Sequence, residues 1–165
     1  MKNFAKLILW GIFVAACIAL PREGAGGERE EESVGWERDS EYNKLYHPEK
    51  LEKIKGVLVE IVEITPMEGM SPGMGLVMEM EERENVTVHL GPKWFTKLLV
   101  LGFNPGDPVK AKGVWAEIDG RKVFMASKVR RGEFFEVKFR TTRDGAPYWT
   151  MSDEEIIQHD ERLED

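Results

Sequence analysis

Thioether side chains are concentrated in one short stretch of this sequence. Five of the eight methionines lie between Met67 and Met80, in a stretch that also contains several glycines. Thioether sulfur is a soft ligand that suits Cu(I), and a flexible loop can wrap a cuprous ion. The stretch therefore predicts a Cu(I) site formed by Met67, Met70 and Met74, with His89 as a further ligand. The alternative is that these adaptable side chains fill gaps against a core.

A second candidate site surrounds His89, which lies near the end of a strand-like segment. A general base needs a nucleophile or a carboxylate beside it, and no motif supplies such a partner here. We therefore expect the imidazole to hydrogen-bond a backbone carbonyl at a strand-to-helix turn, with ligand binding as the alternative. The predicted motif and ligand-binding residues are His89, Gly91, Pro92, Trp94, Phe95 and Trp149.

Aromatic and basic side chains suggest a third surface. OB-folds stack bases or sugars on aromatic platforms, for which the candidates are Trp94, Phe95, Trp115, Tyr148 and Trp149. We nevertheless expect most aromatic side chains in the core, because a small barrel needs large side chains to fill it. A positive face that could hold an anionic partner or lipid is predicted on the late strands, from Lys122, Lys128, Arg130, Arg131, Lys138, Arg140 and Arg143.

The segments that must position these residues are mostly strand-like. β-Branched residues and alternating apolar positions predict strands, and Asp119-Gly120 predicts a hairpin turn. Pro92 suits a first helical turn, and the apolar residues that follow it have helical spacing. The predicted strands are 53–64, 76–81, 85–90, 109–118, 122–129 and 133–140, with a helix at 93–101 and a terminal strand or hairpin near 148–149.

The order of these elements predicts the fold class. Three strands, a short helix, two strands and a terminal strand follow each other as in an OB-fold, in which the helix plugs one end of the barrel. Gly113 supplies a point at which the fourth strand can bend. We predict an all-β domain with one short helix, an OB-fold-like five-to-six-stranded Greek-key barrel. An SH3-like barrel or a small sandwich is the alternative.

The N-terminal residues have the pattern of a secretory signal. Two lysines precede an apolar run at 7–20, which Pro21 ends. We predict a signal peptide over 1–27, cleaved before Glu28, and a soluble periplasmic protein. The alternative is an envelope lipoprotein, because the residues before Cys17 resemble a lipobox and that cysteine would then be lipidated.

Three further segments follow the predicted signal. Residues 28–44 are highly charged and predict a flexible tether. Residues 45–150 form the predicted OB-like domain. Residues 151–165 predict an acidic C-terminal helix or tail, which begins with a capping box at Ser152 to Glu155.

Composition excludes several classes of function. Cys17 is the single cysteine, so the mature domain has no internal disulfide, no thiolate zinc site and no c-haem attachment motif. The formal net charge is −7, and such a surface repels phosphate backbones. We therefore expect no nucleic-acid partner, and we expect membrane contact only through the signal or a lipid anchor.

Several segments together resemble a group of small exported bacterial OB-fold-like proteins, to which magnetosome-associated MamS-like proteins are similar. The resemblance implies a fold and an exported location but no reaction. His47 departs from the acidic or Asn residue expected before Pro48. The residues that carry the resemblance are 46–48, 54–57, the string Val-His-Leu-Gly-Pro-Lys-Trp-Phe at 88–95, 106–109, 126–129, Arg140 and 144–149.

These features predict a non-enzymatic envelope module that docks to a partner protein through its loops and aromatic rim, without a cofactor. No serine-hydrolase, metalloprotease or phosphate-cradling motif occurs in the sequence. The alternative is a periplasmic protein that handles Cu(I) through the methionine-rich loop and His89. A less favoured prediction is an OB domain that binds an oligonucleotide or oligosaccharide.

Overall fold

The computed structural model describes residues 32–161. The predicted signal peptide, Cys17, the start of the predicted tether and the end of the predicted tail lie outside the described residues. No described helix is long and apolar enough to cross a membrane. The strands are β1 Glu52–Ile64, β2 Gly73–Glu79, β3 Asn85–Pro92, β4 Pro108–Ile118, β5 Arg121–Arg131 and β6 Phe135–Lys138. The α-helices are α1 Glu41–Lys44, α2 Lys93–Thr96 and α3 Asp153–Glu161. Short 3₁₀ turns occupy Pro48–Lys50, Glu81–Arg83, Leu99–Gly102 and Tyr148–Thr150.

The six strands form one sheet that closes on itself. Their order is β3-β2-β1-β4-β5-β6, and β3 also pairs in parallel with β5 at two positions, Val88 with Phe124 and His89 with Met125. All other pairings are antiparallel. The barrel-like ring and the place of α2 between β3 and β4 confirm the predicted mostly β, OB-like class.

One long strand, β1, takes part in both halves of the ring. Its first residues, Glu52 to Val57, pair with β4, and Val57 to Ile64 pair with β2. A side chain at Gly56 would collide with the backbone carbonyl of Glu79, so the close approach of β2 requires glycine there. The register of β4 shifts at Gly113, in agreement with the predicted bend.

The interior of the ring follows from the alternation of the strands. Inward-facing apolar residues from every strand make one buried cluster, whose largest fully buried members on the strands include Leu58, Leu76, Met78 and Phe124. Removal of this apolar surface from water is the main stabilising contribution to such a fold. Residues on the opposite faces of the same strands are therefore the ones available for binding.

The N-terminal segment differs from its prediction. Residues 32–44 are predicted as part of a flexible tether, but Trp36 is fully buried and Tyr42 is 2% exposed in the structure. The Trp36 indole nitrogen donates a hydrogen bond to the Ser71 carbonyl at 2.8 Å. The tether prediction is wrong over these residues because two aromatic side chains bury enough surface to order a charged segment. The ordered domain thus includes residues 32–44.

Two other elements also differ from their predictions. The helix predicted over 93–101 is broken into α2 and a 3₁₀ turn, and Leu98 and Leu101, predicted as its apolar face, are 70% and 73% exposed. Residues 148–150 form a 3₁₀ turn instead of a strand. The capping box that begins α3 is present, because Ser152 Oγ accepts from the Glu155 backbone and Glu155 accepts from the Ser152 backbone.

Candidate functional site

A groove of about 520 Å³ opens on the outer face of β1, β2 and β3, beside the start of β5. Its two ends are bounded by the loop after β1 and by the β4–β5 turn. The strand faces of an OB-fold between these two loops are where such domains take ligands. The groove is lined by residues 62–66, Val77, Asn85, Thr87, His89, Ile118 and residues 121–123.

The floor of the groove is built by strand register. Val62 lies opposite Gly75, and Gly75 lies opposite His89, so the three residues share the outward face. Val77 and Thr87 form the next outward pair. Gly75 has no side chain to separate Val62 from His89. The floor is therefore largely aliphatic, with one imidazole at its inner end.

His89 is buried although it faces outward, because the N-terminal segment covers it. Its Nδ1 lies 3.2 Å from the Tyr42 hydroxyl, and the two rings stack with centroids 6.0 Å apart. Burial, assisted by the positive charge of Arg121, lowers the pKa of His89 to about 4. The imidazole is therefore neutral at neutral pH. The predicted backbone partner is replaced by a tyrosine hydroxyl.

The rim of the groove carries positive charge from the β4–β5 hairpin. Arg121 and Lys122 are exposed there, immediately after the turn at Asp119 and Gly120. The Lys122 ammonium also lies 4.2 Å from the centroid of the Trp115 ring, which fixes its position over an aromatic face. A ligand in the groove would thus meet an aliphatic floor and a cationic rim.

A second cluster, which we call the clasp, joins the N-terminal segment to the C-terminal one. The clasp consists of Trp36, Tyr42, Asn43, Arg140 and Trp149. The Trp36 carbonyl accepts from Trp149 Nε1 at 2.8 Å and from Asn43 Nδ2 at 3.1 Å. Arg140 Nη2 donates to Asn43 Oδ1 at 2.7 Å. These bonds hold the segment that places the Tyr42 ring against His89.

Arg140 is a buried cation that is held by neutral groups. It is 2% exposed, and its guanidinium lies 4.8 Å from the Trp149 ring and 4.7 Å from the Tyr46 ring. No carboxylate that the structure describes forms a salt bridge with it. Burial lowers the pKa of Arg140, and the hydroxyls of Tyr42 and Tyr46 oppose this effect. Its role in the clasp is structural.

The motif residues predicted around His89 belong mostly to the same packed region. Trp149 is 8% exposed and contacts the Trp36 and Phe95 rings, while Gly91 lies so close to Trp149 that a side chain there would collide with the indole. Pro92 precedes α2 as its N-cap, and Trp94 and Phe95 are half-buried against the core. The predicted aromatic rim is therefore largely interior packing.

The methionines of the predicted copper site lie elsewhere. Met67, Met70 and Met74 are half-buried and pack against the core, and the Met70 side chain lies over Gly35 of the N-terminal segment. None of the three lines the groove that contains His89. Within residues 32–161 the structure shows no cluster of three His, Cys, Asp or Glu ligands. Copper binding by this loop stays a prediction.

The fold and the groove together define a class, a small OB-like β domain with a ligand-sized groove on the outer face of its first three strands. The chain belongs to the MamS/MamX magnetosome protein family, whose sequence profile matches residues 50–135, just over half of the 165 residues. This match confirms the predicted similarity to MamS-like proteins. A comparison with curated proteins finds no match.

Proposed function

We propose that this chain is a non-enzymatic binding or assembly module of the bacterial envelope, which docks a partner protein in the groove. The observation that carries the proposal is the pairing of an aliphatic floor with a cationic rim in a cleft of about 520 Å³. Such a surface suits an extended segment that carries aliphatic and acidic side chains. The proposal assigns no cofactor.

The strand edges beside the groove support an extended ligand. Pairing between β3 and β5 is limited to two positions, so residues 85–87 and 121–123 diverge at the groove. Diverging edges leave backbone donors and acceptors that an added strand can use. A partner segment could therefore bind by main-chain hydrogen bonds, while Arg121 and Lys122 select for acidic side chains.

The neutral state of His89 fits this role. A buried imidazole with a tyrosine partner shapes the inner end of the groove without adding charge. The proposed location is periplasmic, following the predicted signal peptide, with a lipoprotein form through Cys17 as the alternative. The description of the family as a magnetosome protein family supports a search for the partner among magnetosome-associated proteins.

Site-specific photocrosslinking in cells that produce the protein tests this proposal. A photoreactive residue at the exposed groove position Asn85 should give an adduct of discrete mass. The same residue at Glu154, which is exposed on α3, should not. Charge reversal by Arg121→Glu and Lys122→Glu should reduce the Asn85 adduct at least fivefold, because the acidic segment would then be repelled. Equal adducts at both positions, or none at Asn85, would contradict docking in the groove.

A further inference from the structure

A second surface, distinct from the groove, is formed where β1, β4, β5 and β6 lie side by side. One outward row across these strands is Lys53, Lys112, Lys128 and Lys138. The next is Lys55, Lys110 and Arg130, and it ends at Glu136. These seven cations form what we call the basic face.

The basic face follows from strict alternation along the four strands. Between its two rows runs a buried row, Ile54, Ala111, Val129 and Val137, which points into the core. Directly opposed residues on neighbouring strands have Cβ atoms about 4.5–5.5 Å apart, and like charges at this spacing repel. Repulsion between neighbouring cations therefore costs stability on this surface, although the overall charge of the protein is negative.

Few of these charges are satisfied by the protein itself. Lys128 forms an ion pair with Glu136 at 3.0 Å, and Arg130 donates to the carbonyls of Gly132 and Glu133. The five remaining lysines have no ion-pair or hydrogen-bond partner among the side chains that the structure describes. A cavity of about 360 Å³ lies among the lysines and reaches Ile54 and Ala111. The face is thus open to an external anion.

The border of the basic face carries exposed apolar side chains. Phe134, at the tip of the β5–β6 hairpin, is 97% exposed. Leu98 and Leu101 lie in the neighbouring segment, which contacts this hairpin through Gly102 and Phe135. Contiguous exposed apolar patches mark interaction sites, and these three side chains lie on two segments that are in contact. A bilayer offers a counterpart to both features over a wide area, anionic headgroups for the lysines and acyl chains for these three side chains.

We propose that the basic face and its apolar border dock the domain onto an anionic lipid surface. Lysines would meet the phosphates, since a compact ammonium on a flexible stem suits a surface of mobile charges better than a fixed bidentate site. Phe134, Leu98 and Leu101 enter the boundary between headgroups and acyl chains, as apolar side chains of interfacial proteins do. This inference does not depend on what occupies the groove.

Vesicle flotation of the full chain tests the proposal. Vesicles of phosphatidylcholine alone are compared with vesicles that contain about one-third phosphatidylglycerol. The variant Lys55→Gln/Lys110→Gln should bind the anionic vesicles roughly tenfold or more weakly than the wild type. A matched variant, Lys44→Gln/Arg143→Gln, removes the same charge from exposed positions outside the face and should bind as the wild type does. The predicted signal peptide, residues 1–27, is identical in all variants, so any membrane affinity of its own cancels.

A second variant separates lipid insertion from charge attraction. Phe134→Ala should lower binding to anionic vesicles about fivefold and leave binding to soluble polyglutamate unchanged, because only a bilayer can bury the phenyl ring. Equal loss in the basic-face and matched variants overturns the proposal. Polyglutamate binding without vesicle binding would assign the face to an acidic protein. Displacement of the protein from vesicles by inorganic phosphate, but not by chloride of equal ionic strength, would assign the face to free phosphate. Either of these two results would overturn the proposal that the face binds a lipid surface.

Discussion

The clasp and the basic face hold positive charge in opposite ways. Arg140 is buried and is satisfied by an amide oxygen and two aromatic rings of the same chain. The basic face gathers seven cations on the surface, and five of them have no ion-pair or hydrogen-bond partner in the described part of the structure. The first arrangement stabilises the fold and the second works against it. Positive charge near a sheet is therefore evidence of binding only where the protein leaves it unsatisfied.

The largest expected effect comes from the clasp. Replacement Arg140→Met leaves Asn43 Oδ1 without its charged donor and removes two ring contacts, so we expect the free energy of unfolding to fall by about 3 kcal/mol. Chemical denaturation measures this loss. The exposed neighbour Arg143→Met should change it by less than about 0.5 kcal/mol. Similar losses in both variants would mean that Arg140 is not the residue that joins the two segments.

A smaller effect should appear as a pH dependence near the clasp. The pKa of His89 is lowered to about 4 in the folded state, so the unfolded state binds more protons between about pH 4 and 6.5. Stability should therefore fall as the pH decreases through this window, by roughly 2–3 kcal/mol from His89 alone.

The variant His89→Asn should remove this contribution, because the amide can bond Tyr42 without titrating. The measurement is the difference in unfolding free energy between wild type and variant across the window. The control variant is His47→Asn, which removes an exposed imidazole that lies outside the clasp. A slope that survives in His89→Asn would show that other groups carry the pH dependence.

The smallest effect has the opposite sign and belongs to the basic face. Lys112 lies between Lys53 and Lys128, so Lys112→Gln should stabilise the protein by roughly 0.5 kcal/mol. The gain should vanish at about 1 M salt, where the screening length is roughly 3 Å. Lys44→Gln instead removes an ion pair with Glu41 and should not stabilise. A loss of stability in Lys112→Gln would refute the idea that the face costs stability.

The strand pattern of the fold was predictable from sequence, since alternation and turn residues place β2 to β5 within a few residues. The helix at 93–101 was predicted too long because Leu98 and Leu101 have helical spacing but remain exposed. The order of residues 32–44 was missed because burial of Trp36 depends on Ser71 and Trp149, which are far along the chain. Such long-range partners leave no local signal.

The candidate surfaces were predicted only in part. The sequence singles out His89 and the basic character of the late strands, but not the groove, and Lys122 lies at the groove and Arg140 in the clasp. The contribution of β1 and β4 to the basic face was missed. Its signal is a repeated pattern of charged, apolar, charged residues at 53–55, 110–112, 128–130 and 136–138. Only strand register shows that these four triplets lie side by side.

The two halves of β1 give the molecule a mechanical property. The first half belongs to the basic face and the second half to the groove, and one continuous backbone joins them. Interstrand hydrogen bonds run perpendicular to the strand axis. If a lipid surface is bound at the first half and a partner segment at the second, tension between them would load these hydrogen bonds in shear. All of the bonds would then be strained at the same time. β1 would then carry the load along its axis, and its hydrogen bonds to β2 and β4 would not break one after another.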